Sequence, residues 1–204
     1  MLPTNTHRSS LLLLCLCSAP AIAQQGADTP MLHELAIGLF THDWGPFADD
    51  HEHGIDPNLE LQFNAPEWEG WRRIGSPYPT LGITPNLAGD TSALYGGVTY
   101  EFSLANRYTD PLTRNLFVSA GLGVALHDGP LHKDSYGCDH GSDCGFGYRV
   151  LPHFKFEIGG FFSGNHGLSL SYDHMSHYFI LPGENEGIDH FGIRYHYRFG
   201  GPAS

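Results

Sequence analysis

Leu168-Ser169-Leu170-Ser171-Tyr172-Asp173-His174-Met175-Ser176 and Asp189-His190-Phe191-Gly192-Ile193-Arg194-Tyr195-His196-Tyr197-Arg198-Phe199 decide the fold. Both alternate with period 2. In the first, Leu168, Leu170, Tyr172, His174 and Ser176 share one face, and Ser169, Ser171 and Asp173 the other. In the second, Asp189, Phe191, Ile193, Tyr195, Tyr197 and Phe199 share an apolar face opposite His190, Arg194, His196 and Arg198. Successive side chains of a strand point to opposite sides, so each stretch reads as a strand with one greasy face. Paired antiparallel, they bring a base (His174), a hydroxyl (Ser176) and a carboxylate (Asp189) to the same apolar side. That is the set a serine hydrolase uses.

Six further segments alternate upstream. They lie near residues 32–40 (Leu35, Ile37 and Leu39 on one face), 58–64, 80–85, 92–103 and 115–126, with a sixth beginning near Phe146. In the sixth, Phe146, Tyr148, Val150, Phe154, Phe156 and Ile158 oppose Arg149, His153, Lys155 and Glu157. Several runs reach ten residues, enough to cross a bilayer as tilted strands. No mature segment carries about 20 consecutive apolar residues, so no transmembrane helix is expected. Eight alternating strands closing on Phe199 predict an all-β fold, an eight-stranded antiparallel outer-membrane β-barrel. Closure satisfies every backbone group and removes the sheet edges. Arg149, Lys155, Glu157, Arg194 and Arg198 are then expected inside, packed as an ionic interior too narrow for a pore. The alternative is a soluble β-domain with its faces reversed.

Residues 1–23 read as a signal peptide: His7 and Arg8, then an apolar run from Leu11 to Cys17, then Ala21-Ile22-Ala23 before the cut. Residues 24–31 form a linker and 32–204 the barrel domain. The 204-residue chain carries a formal net charge of −12, which argues against nucleic acid as a partner. Cys138 and Cys144 survive signal cleavage and, in an oxidising compartment, are expected to pair. Zinc held with His140 is the alternative, on a spacing that fits no standard signature.

Loop lengths set the topology. The links near residues 41–57, 127–145 and 177–188 are long and expected outside, and a short turn near 159–165 is expected in the periplasm. The link at 65–78, with Trp68, Trp71, Arg72 and Arg73, is long for a periplasmic connection and reads as an interfacial segment. The first outer loop carries His42, Asp43, Asp49, Asp50, His51, Glu52, His53 and Asp56. These groups could hold Ca²⁺ or a transition metal, against the plainer reading of a solvated acidic loop. No metal and no cofactor are assigned from the sequence.

The words Tyr172-Asp173-His174-Met175-Ser176, Asn185-Glu186-Gly187-Ile188-Asp189 and Gly192 to Phe199 resemble the lipid A 3-O-deacylase (PagL)/acyloxyacyl hydrolase family. Gly147 to Leu151 and Ala88 to Ser92 are similar to it as well. The resemblance implies an outer-membrane enzyme that cleaves the ester-linked acyl chain at position 3 of lipid A, with lipopolysaccharide of the outer leaflet as its partner. It implies His174 as base, Ser176 as nucleophile, Asp189 as the acid (often Glu in the family) and Asn185 as a supporting residue. A homodimer is left open. One position departs: the family's Asn after the serine, assigned to the oxyanion region, is His177 here. Whether His177 donates there stays open, and a non-catalytic barrel for adhesion or membrane integrity is the alternative function.

Overall fold

The computed structural model describes residues 31–47, 52–104, 115–132, 145–177 and 187–199. Eight strands follow in chain order: β1 (Leu32–Thr41), β2 (Ile55–Phe63), β3 (Tyr78–Thr84), β4 (Ala93–Ser103), β5 (Leu116–His127), β6 (Val150–Ser163), β7 (His166–Met175) and β8 (Ile188–Arg198). A short helix, α1 (Glu69–Arg73), interrupts the β2–β3 link. Each strand pairs antiparallel with the next, and β8 closes on β1 with Ile37 opposite Tyr195 and Phe40 opposite Gly192. Among the described residues, no helix is long and apolar enough to cross a membrane.

Alternation sorts the two faces as the sequence predicts. Ile37, Leu59, Leu122, Phe156, Leu170 and Ile193 are exposed on the outside of the wall, where lipid meets them. Much of the interior is polar and buried. Arg194 is completely buried and donates to Asn58 Oδ1 (2.9 Å), Glu157 Oε1 (2.9 Å), the Tyr95 hydroxyl (3.0 Å) and Asp173 Oδ2 (3.0 Å). Lys155 pairs with Glu60, and its ammonium also lies 3.6 Å from Glu157. Glu34 accepts from His196 Nδ1 (2.7 Å) and Arg198 Nε (2.9 Å). Buried charges persist only when paired, because desolvation otherwise costs several kcal/mol per ion, on the order of a domain's whole stability.

Three prolines inside strands explain why some boundaries fall outside the expected ones. Pro57, Pro79 and Pro152 are each paired on one side only, with Leu39, Val98 and Val124. The pairing of β2 with β3 starts at Leu59 and ends at Gln62, and that of β6 with β7 starts at His153. A residue without an N–H is tolerated where no second neighbour needs it. Strand β2 therefore begins at Ile55 rather than near residue 58.

Other segments depart from the sequence reading. The β6–β7 turn is only Gly164-Asn165, with Gly164 at φ 56°, and not the longer link expected over 159–165. Gly159 lies within β6, where a Cβ would stand 2.5 Å from the Leu168 carbonyl oxygen and 2.8 Å from the Phe117 ring. Phe146 and Arg149 also differ. They precede β6, so strand alternation does not govern them. Phe146 is buried with Ala93, Tyr95, Ala125, Leu151, Met175 and Ile188 in an apolar cluster inside the barrel. Arg149 is exposed, not interior, and donates to the carbonyls of His127 (2.9 Å) and Gly129 (2.8 Å). In the 65–78 link, Trp71 Nε1 donates to the Pro77 carbonyl (2.8 Å), and its ring lies tilted against Trp68 at a centroid distance of 6.0 Å. Residues 1–23, expected to be a signal peptide, lie outside the described residues, as do Asp49, Asp50, His51, Cys138, His140, Cys144 and Asn185.

Candidate active site

The β7–β8 register puts His174 directly opposite Asp189. Their side chains meet on the outer face of the wall, with His174 Nδ1 2.6 Å from Asp189 Oδ1. The other ring nitrogen, Nε2, lies 2.7 Å from Ser176 Oγ, just past the end of β7. A chain of serine, imidazole and carboxylate is thus continuous at hydrogen-bond distance. With a proton on Nδ1 donated to the carboxylate, Nε2 is free to accept from the serine hydroxyl. The three belong to the end of the barrel that carries the β1–β2, β5–β6 and β7–β8 connections.

Sequence reasoning did not anticipate what fixes Asp189. Its carboxylate accepts from the Tyr172 hydroxyl at Oδ1 (2.7 Å) and from the Phe47 backbone N–H at Oδ2 (2.7 Å). The Trp44 N–H donates to the Asp189 carbonyl (3.1 Å). The segment after β1 therefore folds over the outer face and covers Asp189, whose side chain is fully buried while that of His174 stays 16 % exposed. Gly45 permits the approach, since a Cβ there would fall 2.4 Å from Asp189 Oδ2. The Phe47 ring centre stands 5.4 Å from that of His174, and Trp44 meets Phe191 edge-on at 5.8 Å. Beside them runs an open groove of about 450 Å³ lined by Trp44, Gly45, Pro46, Tyr172 and Phe191. Tyr172 was legible as a member of the triad's face. The covering loop, more than 140 residues away in sequence, left no local signal.

His177 is not beside the serine's outer face. It is completely buried, with Nε2 donating to the Phe146 carbonyl (3.1 Å) and its ring edge-on to Tyr148. The Ser176 N–H donates to the Pro152 carbonyl (3.2 Å) and so continues the ladder beyond β7, which sends the side chain after Ser176 to the inner side.

A second cluster lies on the inner face. His42 Nδ1 is 2.5 Å and His190 Nε2 2.9 Å from Asp56 Oδ2, and His42 Nε2 is 2.7 Å from Glu52 Oε2. Glu52 is itself held by Thr91, whose hydroxyl (2.7 Å) and N–H (3.0 Å) both donate to it. Burial would push the His42 imidazole down, but the hydrogen bonds and charges of Asp56 and Glu52 outweigh it and hold it at about 9. Burial pushes Glu52 up, and the His42 and Thr91 hydrogen bonds bring it below its ordinary value. Of this cluster, His42, Glu52 and Asp56 belong to the acidic, histidine-rich loop singled out in the sequence, whereas His190 shows there only as one residue of a strand's polar face.

A closed eight-stranded barrel with an apolar outer band and buried ion pairs inside defines an outer-membrane β-barrel protein, here with a Ser-His-Asp chain on its outer face. The sequence profile of the lipid A 3-O-deacylase (PagL) family matches residues 57–198, and the chain belongs to that family. Among solved structures, the fold is similar to the crystal structure of the outer membrane enzyme PagL, at a TM-score of 0.54 and 15% identity, covering 81% of this chain and 99% of that one. It is also similar to Neisserial surface protein A (NspA), at 0.48 and 10%, covering 83% and 98%. The Yersinia pestis outer membrane protein Ail follows at 0.41 and 11%, covering 81% and 99%. A search of curated proteins found no match.

Proposed function

We propose that the chain is an outer-membrane serine esterase that removes the 3-O-linked acyl chain from lipid A of lipopolysaccharide. The observation that carries the proposal is the unbroken Ser176–His174–Asp189 chain, with 2.7 and 2.6 Å links, on the face that meets lipid. Family membership supports the substrate class. Ser176 Oγ attacks the ester carbonyl while His174 Nε2 takes its proton, and Asp189 stabilises the imidazolium. The collapsing intermediate expels the sugar hydroxyl, which leaves with the proton from His174. Water, deprotonated by the same imidazole, then releases the fatty acid and restores Ser176. The groove between Trp44, Pro46, Tyr172 and Phe191 offers an apolar bed for the acyl chain. By the topology rule the long-loop end faces outward, so the serine lies at outer-leaflet depth.

A second reading, a non-catalytic barrel, is favoured by one observation. The family's Asn is replaced by His177, whose Nε2 proton is committed to Phe146. Losing an oxyanion donor typically costs about 100- to 1000-fold in rate. Labelling of the detergent-folded protein with a lipophilic fluorophosphonate separates the two. Covalent modification of Ser176 supports the esterase, and no labelling under conditions that modify a control serine esterase supports the inert barrel.

A further inference from the structure

We propose that His42, Asp56 and His190 form a site for a divalent transition metal ion, with Zn²⁺ as the representative, and that Glu52 orients one of its ligands. The three come from adjacent strands at the long-loop end: His42 follows β1, Asp56 opens β2 and His190 lies in β8. All three are buried, and their ligand atoms lie within 4.8 Å of one another. Ordinary metal–nitrogen and metal–oxygen distances of about 2 Å hold such atoms at most about 4 Å apart, so small side-chain shifts complete the site.

Two features separate this cluster from an ordinary polar patch. Asp56 is fully buried, and its Oδ1 has no hydrogen-bond partner among the described residues, although Oδ2 faces both histidines. An orphaned buried carboxylate oxygen is costly, and a cation satisfies it. His42 presents Nδ1 to the centre while Nε2 is engaged by Glu52, which Thr91 holds in turn. A metal-bound histidine characteristically donates its other ring N–H to a carboxylate, which fixes the ring. Two imidazoles and a carboxylate are a donor set for first-row transition ions rather than for Ca²⁺. Coordination replaces the protons that otherwise lie between the imidazoles and Asp56 and releases them to solvent.

The site sits on the inner side of the wall at the residue next to Asp189, and His42 begins the segment whose Phe47 N–H caps that carboxylate. A bound ion would tie this segment to β2 and β8. Binding is independent of ester hydrolysis, so the two proposals fail separately.

The test uses tag-free mature protein, beginning at residue 24, folded in detergent, stripped with EDTA and titrated with Zn²⁺ alone, with bound metal measured after equilibrium dialysis. One zinc per chain is expected. His42→Ala and His190→Ala should weaken binding at least 100-fold, and Glu52→Gln by about 10- to 100-fold. Ser176→Ala should bind as wild type does. Gel mobility before and after heating identifies folded barrels, and Glu52→Gln carries the test if an alanine variant does not fold. Wild-type protein that takes up no stoichiometric zinc, or folded variants that bind it unchanged, would overturn the proposal.

Discussion

His174 and Asp189 are direct cross-strand partners of β7 and β8, and their side chains meet at 2.6 Å on the lipid side of the wall. Directly opposite residues on antiparallel strands have Cβ atoms about 5 Å apart, so the backbone register alone delivers the pair. Neither side chain contributes to the ionic interior, which separates chemistry from folding.

That separation gives the first expectation. Ser176→Ala and His174→Ala should each reduce deacylation by about 1000-fold or more while the barrel still forms. Fatty acid release from purified lipid A, read beside the heat-shift of the folded protein on gels, checks both. Activity near wild type in either variant would dissolve the triad.

Asp189→Asn keeps the shape but loses the charge that stabilises imidazolium, and should cost about 1000-fold or more. Asp189→Glu keeps the charge and should retain more activity than Asn, although Gly45 must give way to the longer side chain. The order of the two variants in kcat is the measurement. Equal rates for Asn and wild type would reduce Asp189 to a structural residue.

Tyr172 is a positioning residue that reaches the serine only through Asp189. Tyr172→Phe should lower kcat about tenfold, equivalent to about 1.4 kcal/mol, with little change in KM. A change confined to KM would assign the hydroxyl to substrate binding instead of to Asp189.

His177 separates two accounts of the site. An oxyanion donor would make His177→Ala lower kcat by about 100-fold or more. The buried bond to Phe146 instead predicts a loss of stability of about 1 kcal/mol with a modest change in rate, because one buried hydrogen bond is lost while the Phe146 carbonyl still accepts from the Tyr148 N–H (2.7 Å). Denaturant midpoints in detergent, set beside kcat for the same variant, decide between them.

Cys138 and Cys144 are expected to be joined in protein taken from the envelope. Intact mass before and after reduction and alkylation reads this directly. Two free thiols without reduction would count against it.

The strands and the triad were legible because both rest on local alternation and one hairpin register. Leu168 to Ser176 and Asp189 to Phe199 place each side chain on a face without any distant information. The same alternation puts His177 on the opposite side from Ser176, so its burial was available to a period-2 reading. Phe146 was misplaced because it precedes β6, where alternation has no force. The cover over Asp189 and the His42–Asp56–His190 cluster were not legible as units. Both depend on β8 closing on β1, a pairing between opposite ends of the chain.

The central claim, that Ser176 deacylates lipid A, is tested most directly by mass spectrometry of lipid A from Gram-negative cells producing either the wild-type chain or Ser176→Ala. The account predicts lipid A lacking one 3-O-linked acyl chain in cells with the wild-type protein, and intact lipid A with the variant at equal levels in the outer membrane. Identical lipid A in both, with the wild-type barrel folded and present, would contradict it.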